Sequence, residues 1–280
     1  MIVHGLRHKY PLELLLNLLK IPRSTFYHHV KASAVPDKYQ EAQKQISQVY
    51  HQHRGRLGYR RITMVLRKAG SRLNHKTVFK LMKAMGLKSL IRTRKYRSYK
   101  GDTGKVAPNI LNRKFKSERP SQKWATDVSE FRVKDKKLFL SPVIDLFNGE
   151  VISYNLSESP NFEQVTQMLK MAFRKINKSE KLILHSDQGW QYQMARYQKM
   201  LKSRGITQSM SRKGNCLDNA VIENFFGTIK SELFYLNKYN SIDQLKADIR
   251  EYINYYNNDR IRLNLNGMSP VQYRAHHTNR

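Results

Sequence analysis

The sequence predicts an α/β fold, a mixed five-stranded sheet with flanking helices, preceded by a small all-α region. Three observations support this prediction. Apolar residues recur at helical spacing as far as residue 87 and at strand spacing from residue 124 onward. A basic segment with neither period separates the two parts. The charge divides there as well, because residues 1–120 hold 28 basic and 5 acidic side chains and residues 121–280 hold 24 and 16.

The overall composition indicates a protein that binds nucleic acid. The chain of 280 residues holds 52 lysines and arginines against 21 acidic residues, a formal charge of +31 that a polyanion would neutralise. Its one cysteine, Cys216, excludes an internal disulfide and a zinc site built from cysteines, and fits a reducing compartment. The most apolar early run, residues 12–19, is eight residues long and too short to span a bilayer. We therefore expect a cytoplasmic protein with no membrane partner.

Two helix pairs are predicted within residues 1–100, the basic helical region. Residues 12–30 form the first pair, broken at Ile21-Pro22. The second pair spans residues 58–70 and 75–87, and a glycine stops each helix. Two short helices joined by a few residues fit a helix-turn-helix whose second helix approaches a DNA groove, although a plain helical hairpin with solvated lysines has the same pattern. The candidate DNA contacts in this region are Arg60, Arg61, Lys76, Lys80 and Lys83.

A basic linker is predicted after these helices. Residues 92–105 place tyrosines among basic side chains and show neither a helical nor a strand period. Such a segment is suited to lie along a phosphate backbone. We place the linker at residues 101–120, so that residues 121–280 form the second domain.

Three strands are predicted at the start of the second domain. They cover residues 124–133, 137–147 and 150–157, and the Asn148-Gly149 pair between the last two is typical of a type I′ hairpin turn. Pro142 lies inside the second of these strands, where its missing N–H conflicts with a regular ladder. We therefore expect a bulge or an edge position at Pro142.

The remaining elements complete the order βββαβαβα. A helix that begins at Ser159-Pro160 and runs to residue 176 precedes a short buried strand at 181–187. A helix over 190–203 and a strand over 206–211 then lead to an amphipathic helix over 217–234. This order favours a sheet in which the first and fourth strands are neighbours, and sites in such sheets form at the carboxyl ends of strands.

Three carboxylates are predicted to converge at that edge of the sheet. Asp127 lies in the first strand, Asp187 ends the fourth, and Glu223 lies on the final helix of the sheet domain. Intervals of 59 and 35 residues separate them. Carboxylate oxygens are the ligands that Mg²⁺ and Mn²⁺ prefer, and two such ions can drive an in-line displacement at a phosphodiester. The pattern indicates Asp127 and Asp187 as shared metal ligands and Glu223 as a ligand to one ion.

The motifs around these residues resemble the catalytic core of the DDE transposases and retroviral integrases. The segments are "ATDVSEF", "HSDQGWQY" and "DNAVIENFFGTIK", with "LGYRRI", "VIDLFNGEVISY" and "YYNNDRIRLNLNGMSPVQYR" as further blocks. The nearest likeness is to the second-reading-frame product of bacterial insertion sequences, and it covers nearly the whole chain from about residue 40. No His/Cys zinc module precedes the core, unlike in retroviral integrases.

The resemblance implies a ribonuclease H-like fold and an enzyme that uses Mg²⁺ or Mn²⁺, as two ions, to cleave DNA and transfer a 3′-hydroxyl to target DNA. It implies double-stranded DNA partners, namely element ends and target, and a homo-oligomer on that DNA. Lys230 matches the basic residue that in the family contacts DNA near the scissile phosphate. In this family the active form is usually a fusion with an upstream segment.

Other polar and aromatic residues near the triad have simpler interpretations. Structural roles are favoured for Asp145, Glu130 and Asp218, the last as a helix N-cap, and for a hydrogen-bonded His185. Packing is favoured over base stacking for Trp124 and Trp190. Asn215 and Asn219 fit DNA contact and turn formation equally well. The remaining candidate DNA contacts are Arg212 and Lys213.

Two alternative functions fit the same pattern. A non-catalytic DNA-binding regulator on the same fold would not need an intact Asp, Asp, Glu set, so the triad favours an enzyme. A nuclease of the same fold without strand transfer is the other alternative, and fold alone does not separate it from a transposase.

Overall fold

The computed structural model describes residues 2–34, 38–90, 106–176, 181–212 and 216–278. The whole of the predicted linker segment 92–105, together with Lys213 and Asn215, lies outside these residues. The helices that precede the sheet are α1 (Ile2–Leu6), α2 (Leu12–Leu18), α3 (Arg23–Ala34), α4 (Gln40–Gln52), α5 (Tyr59–Lys68) and α6 (His75–Ala84).

Helices α4, α5 and α6 share one small core. Ile46, Ile62 and Val78, one from each helix, are fully buried in it. Asn74 caps α6 by accepting a hydrogen bond from the N–H of Lys76 at 2.9 Å. The predicted helix pair 58–70 and 75–87 is therefore confirmed as α5 and α6, whereas α4 was missed. Helices α2 and α3 confirm the first predicted pair and pack around a separate cluster.

The second part of the chain folds on a mixed sheet. Its strands are β1 (Lys123–Thr126), β2 (Ser129–Val133), β3 (Lys136–Asp145), β4 (Val151–Ser157), β5 (Ile183–Ser186) and β6 (Thr207–Met210). β3 pairs antiparallel with β1 and β2 along one edge and with β4 along the other. β1 pairs parallel with β5, and β5 parallel with β6. The predicted neighbouring of the first and fourth strands is thus confirmed, as Ala125 lies opposite His185.

The first predicted strand is divided in two, so that the sheet has six strands instead of five. The break falls at Asp127 and Val128. Thr126 pairs with Val143 and Ser129 pairs with Leu140, so the break lies opposite Ser141 and Pro142 of β3. Proline has no N–H to donate, and a ladder shifts or breaks near it. Neither expectation holds at Pro142 itself, which pairs in register with Tyr154 on a central strand; the β3–β4 register shifts one residue later, between Val143 and Ile144.

The turn between β3 and β4 differs from the predicted type. A type I′ turn needs positive φ at both central residues. Among the described residues of this turn only Gly149 has positive φ, at +75°. The N–H of Gly149 donates to the carbonyl of Asp145 at 2.8 Å, and the N–H of Asp145 donates to the carbonyl of Glu150 at 2.9 Å. The loop is therefore four residues long.

Helices cover both faces of the sheet. They are α7 (Phe162–Phe173), α8 (Trp190–Gln193), α9 (Ala195–Lys202), α10 (Ala220–Glu232), α11 (Ile242–Asn258) and α12 (Pro270–Thr278). Helices α10 and α11 contribute to one core cluster with the sheet, and α7 and α9 to the other. The helix predicted over 190–203 is interrupted at Met194, whose ψ of 133° is extended.

The helical part docks against the carboxyl-terminal part of the chain. Ile261 packs into the core of α4, α5 and α6. The ammonium of Lys68 donates to the carbonyl of Gly267 at 2.6 Å. None of the described helices is both long enough and apolar enough to cross a membrane.

Candidate active site

The two aspartates lie where neighbouring parallel strands end. Asp127 occupies the break after β1, and its Oδ1 accepts the N–H of Val128 at 2.7 Å. Asp187 directly follows β5, and its Oδ1 accepts the N–H of Gly189 at 2.9 Å. A Cβ at position 189 would lie 3.0 Å from that Oδ1, so the missing side chain allows the loop to close on Asp187. Because β1 and β5 are parallel neighbours, both carboxylates lie at one edge of the sheet.

Glu223 lies in the first turn of α10, where its charge acts on those of both aspartates. Burial raises the pKa of Asp127 well above its usual range, and repulsion from Asp187 and Glu223 raises it further. Burial and then repulsion from Asp187 also raise the pKa of Glu223. The pKa of Asp187 is raised by burial. Since each effect requires proximity, the three carboxylates share one electrostatic environment.

Lys230 lies two turns along α10 from Glu223, on the side of the aspartates. Its Nζ is 5.2 Å from the centroid of the Phe131 ring. Burial lowers the pKa of Lys230, while the charges of Asp127 and Glu130 raise it. Gly227 lies between Glu223 and Lys230 on the helix, and a Cβ there would meet nothing within 4 Å. The surface between Glu223 and Lys230 is therefore open to a bulky ligand.

Hydrogen bonds to Asp218 fix the segment that precedes α10. Its buried carboxylate accepts hydrogen bonds from Asn109 and Arg113 at 2.9 Å each, and from Arg212 at 2.9 and 3.0 Å. Its carbonyl contacts Nε2 of His185 at 2.9 Å. The hydrogen bond from Arg212 is the largest of the causes that hold the pKa of Asp218 well below its usual range. The structural role is confirmed, but the predicted N-cap is wrong, because the carboxylate binds these side chains.

This arrangement changes the interpretation of two predicted segments. Arg212 is a candidate DNA contact whose guanidinium pairs with Asp218 and remains 53% exposed, so its contact with DNA stays a prediction. Residues 109–113, within the predicted linker 101–120, contact the sheet domain, since the N–H groups of Ile110 and Leu111 donate to Oγ of Ser209 at 3.0 and 3.2 Å. The domain limits at residues 100 and 120 stay predictions.

The other residues near the site divide between confirmed and corrected roles. Asp145 is buried and accepts hydrogen bonds from Ser121, Phe147 and Arg274, as a structural aspartate should. Glu130 is exposed and pairs with Lys137 at 3.1 Å. Trp124 is 1% exposed and confirms packing. Trp190 is 45% exposed, so the packing prediction is wrong there: it begins α8 three residues after Asp187, on the surface.

Glu232 is an important residue that sequence reasoning missed. It ends α10 and is buried, and its carboxylate accepts two hydrogen bonds from Arg260 at 2.7 and 2.8 Å and one from the Tyr252 hydroxyl at 2.8 Å. Arg61 reaches the same carboxylate at 3.4 Å, and Arg56 donates to the Glu232 carbonyl at 3.2 Å. Glu232 therefore joins α10 to α5 and to the carboxyl-terminal segment.

The candidate DNA contacts of the helical part separate into two groups. Arg61 is partly buried against Glu232. Arg60 is exposed, although its Nε donates to the Tyr59 hydroxyl at 3.1 Å. The exposed lysines of α6 form one solvent-facing row of positive charge, and they are Lys76, Lys80 and Lys83.

Comparison with known families agrees with both parts of the chain. Models described as "Integrase core domain" match residues 117–216 and 223–277. A model described as "HTH-like domain" matches residues 38–95, which contain α4, α5 and α6. The fold and these matches define a protein with an integrase-type catalytic core, the class of DDE polynucleotidyl transferases, preceded by a helix-turn-helix-like region.

Full-length relatives identify the family. The chain is 57% identical over 273 residues to the Escherichia coli K12 protein InsK of insertion sequence element IS150, named as a transposase, with 98% of this chain and 96% of that protein covered. It is 35% identical to the transposase of IS904 from Lactococcus lactis, with 84% and 94% covered. The chain therefore belongs to the transposases of bacterial insertion sequences.

Solved structures of retroviral integrases are similar to part of the chain. The HTLV-2 integrase catalytic core domain, in a structure described as a complex with magnesium, has a TM-score of 0.45 at 19% identity and covers 56% of this chain and 98% of that one. A simian T-cell lymphotropic virus intasome has a TM-score of 0.48 at 14% identity, with 82% and 74% covered.

Proposed function

We propose that this transposase cleaves DNA and transfers a 3′-hydroxyl to target DNA with divalent ions held by Asp127, Asp187 and Glu223. The observation that carries the proposal is that Asp127 and Asp187 follow the ends of two neighbouring parallel strands, β1 and β5, while Glu223 and Lys230 of α10 interact with these aspartates through their charges. Such a cluster is unfavourable by itself and becomes favourable when cations bind. Hard oxygen donors suit Mg²⁺ or Mn²⁺.

The carboxylates of Asp127, Asp187 and Glu223 supply the oxygen ligands that Mg²⁺ and Mn²⁺ prefer. In the described part of the chain, no group of three His, Cys, Asp or Glu side chains is already arranged to hold a metal ion. Like charges repel one another, so the carboxylates would come together around a cation when one binds. When bound, two Mg²⁺ ions would supply a stabilised attacking oxygen and a stabilised leaving oxygen.

Side chains of this protein would hold the ions and position the DNA. Asp127 and Asp187 would hold both ions, and Glu223 one. Lys230 would contact a phosphate of the cleaved strand, and the open surface at Gly227 would let the backbone of that strand approach α10. The exposed lysines of α6 would bind the phosphates of duplex DNA. Trp190 would contact DNA near the reacting phosphate. Assembly as a homo-oligomer on the element ends, in the cytoplasm, belongs to the same proposal.

The direct test incubates the full chain with DNA that carries the ends of its insertion sequence. We expect strand cleavage and strand-transfer products with Mg²⁺, and neither product when EDTA removes the metal. Cleavage without joining would favour a nuclease. DNA binding without either product, in the presence of Mg²⁺ and any segment encoded by an upstream overlapping frame, would favour a regulator.

A second prediction concerns the α6 lysines. Replacing Lys76, Lys80 and Lys83 with glutamine should weaken DNA binding and reduce the slope of log affinity against log salt by about 0.9 for each phosphate that the protein no longer neutralises. Melting temperature should hardly change, since all three side chains are exposed. The matched control replaces Lys170, Arg174 and Lys175, which are exposed on and after α7. Equal slopes for the two triple variants would contradict DNA contact through α6.

A further inference from the structure

A cavity of about 270 Å³ lies beyond Lys230. The β2–β3 hairpin forms one wall with Arg132, Val133 and Lys134. The segment after α10 forms the other wall with Phe234, Tyr235 and Tyr239. The volume is just below the range of about 300–1,000 Å³ usual for small-molecule sites. It has room for a single planar group, and a DNA duplex is far too wide to enter it.

Ring contacts connect this cavity to the catalytic residues. The Lys230 ammonium lies 5.2 Å from the centroid of the Phe131 ring. The Phe131 ring meets the Phe234 ring edge to face at a centroid distance of 5.2 Å. Phe234 in turn stacks on Tyr239 at 5.9 Å, with the ring planes 9° apart. The Phe131 ring therefore lies between Lys230 and Phe234, which lines the cavity.

One edge of β2 has no partner among the described strands. Beyond the break at Asp127, β2 pairs with β3 on one edge and with no other described strand. β5 pairs only with β1 and β6 among the described strands, so it does not extend beside β2. A strand of DNA that passes Lys230 would reach the cavity along this edge of β2, with which no described strand pairs.

Charge and aromatic surface at the cavity suit a nucleotide. The Arg132 side chain is 66% exposed, and Lys134 is exposed at the hairpin turn, with φ of +54°. Glu130 offsets part of this charge, since it lies 3.7 Å from Arg132 and 3.1 Å from Lys137. Tyr235 is half-buried, and its ring packs against Phe234 at 5.5 Å. Single-strand binding sites combine the same two features, basic side chains for phosphates and aromatic rings for bases.

We propose that this cavity binds one unpaired nucleotide of the DNA strand that lies along Lys230. The base lies against the rings of Phe234 and Tyr235, and its phosphate faces Arg132 and Lys134. The inference rests on the proposed DNA cleavage function and adds a site at which a strand leaves the duplex. A base that is not paired with the opposite strand can enter the cavity, whereas a paired base stays stacked in the duplex.

The test compares the affinity of the full chain for a blunt duplex and for the same duplex with a short single-stranded overhang, at one salt concentration. We expect the wild-type protein to prefer the overhang. Tyr235→Ala should reduce that preference at least about fivefold, the lower end of base stacking on an aromatic ring, and Tyr235→Phe should retain it. Blunt-duplex affinity should be the same for all three proteins.

A second pair of variants keeps the test independent of folding. Arg132→Gln with Lys134→Gln changes only exposed side chains and should also lower the overhang preference, while Lys170→Gln with Arg174→Gln should not. Crosslinking through 5-iodouracil in the overhang should map to residues 234–239. A wild-type protein without overhang preference, or crosslinks confined to other segments, would overturn the cavity assignment. Absence of binding to both DNAs would instead contradict the proposed function.

Discussion

Asp187→Asn and Glu223→Gln are each expected to lower the rate of Mg²⁺-dependent strand cleavage at least about a hundredfold. Loss of one carboxylate removes a metal ligand, and the bound ions contribute several kcal/mol of transition-state stabilisation, of which about 1.4 kcal/mol corresponds to each factor of ten. DNA affinity and melting temperature should stay the same or rise, because an amide relieves the repulsion among the three carboxylates. Single-turnover cleavage, DNA binding and thermal unfolding measured on the same preparations check all parts.

The matched control is Asp243→Asn, at a carboxylate on α11 that is 91% exposed. It should leave the cleavage rate unchanged. The metal-ligand assignment would be wrong if either triad variant cleaved within about tenfold of the wild-type rate, a barrier change of only about 1.4 kcal/mol.

Glu232→Ala is expected to lower the free energy of unfolding by about 3–5 kcal/mol, the usual loss when one partner of a buried ion pair is removed. Arg260, whose side chain is 8% exposed, would remain buried without its carboxylate, and the Tyr252 hydroxyl would lose its acceptor. Chemical denaturation with the m-value determined for each protein measures the loss. A change below about 1 kcal/mol would contradict the role assigned to Glu232.

The control for this prediction is Glu251→Gln, which removes a partner of Arg54 in a pair whose side chains are 58% and 64% exposed. Exposed pairs contribute about 0–1 kcal/mol, so the loss should stay within that range. Burial alone would raise the pKa of Glu232, but the hydrogen bond and charge of Arg260 and the charge of Arg61 outweigh it and hold this pKa below its ordinary 4.5. The contribution of Glu232 to stability is therefore present above that pH and is lost as the pH falls through the folded pKa.

Much of the sheet domain was predictable from local pattern. Period-two segments, a buried strand before "HSD" and an amphipathic helix at 217–234 indicate the order of elements, and the parallel pairing of β1 with β5 follows from that order. The apolar residues Ile222, Phe225 and Phe226 are buried, as the helical period of this segment predicts. The placement of Asp127 and Asp187 at the ends of neighbouring strands could therefore be expected without a structure, and the role of Glu223 as their partner stays a prediction.

Features that depend on distant partners could not be predicted in this way. The break at Asp127 arises opposite Pro142, which lies on another strand. Glu232 has the pattern of a surface glutamate at a helix end, and its partners Arg61 and Arg260 lie 171 and 28 residues away. Asp218 likewise binds Arg113, 105 residues away, so its local N-cap pattern was misleading. Trp190 begins α8 and is 45% exposed, and its local sequence pattern does not distinguish a surface position from a packed one.

The most direct test of the central claim is the position of Mn²⁺ in crystals of the full chain bound to DNA, located by anomalous scattering. The proposed function predicts ions between Asp127, Asp187 and Glu223, two of them about 3.5–4 Å apart, with the Glu223 carboxylate turned toward both aspartates and Lys230 beside the DNA. Ions bound elsewhere, or a Glu223 side chain that points to bulk solvent away from Asp127 and Asp187 in the DNA complex, would contradict it.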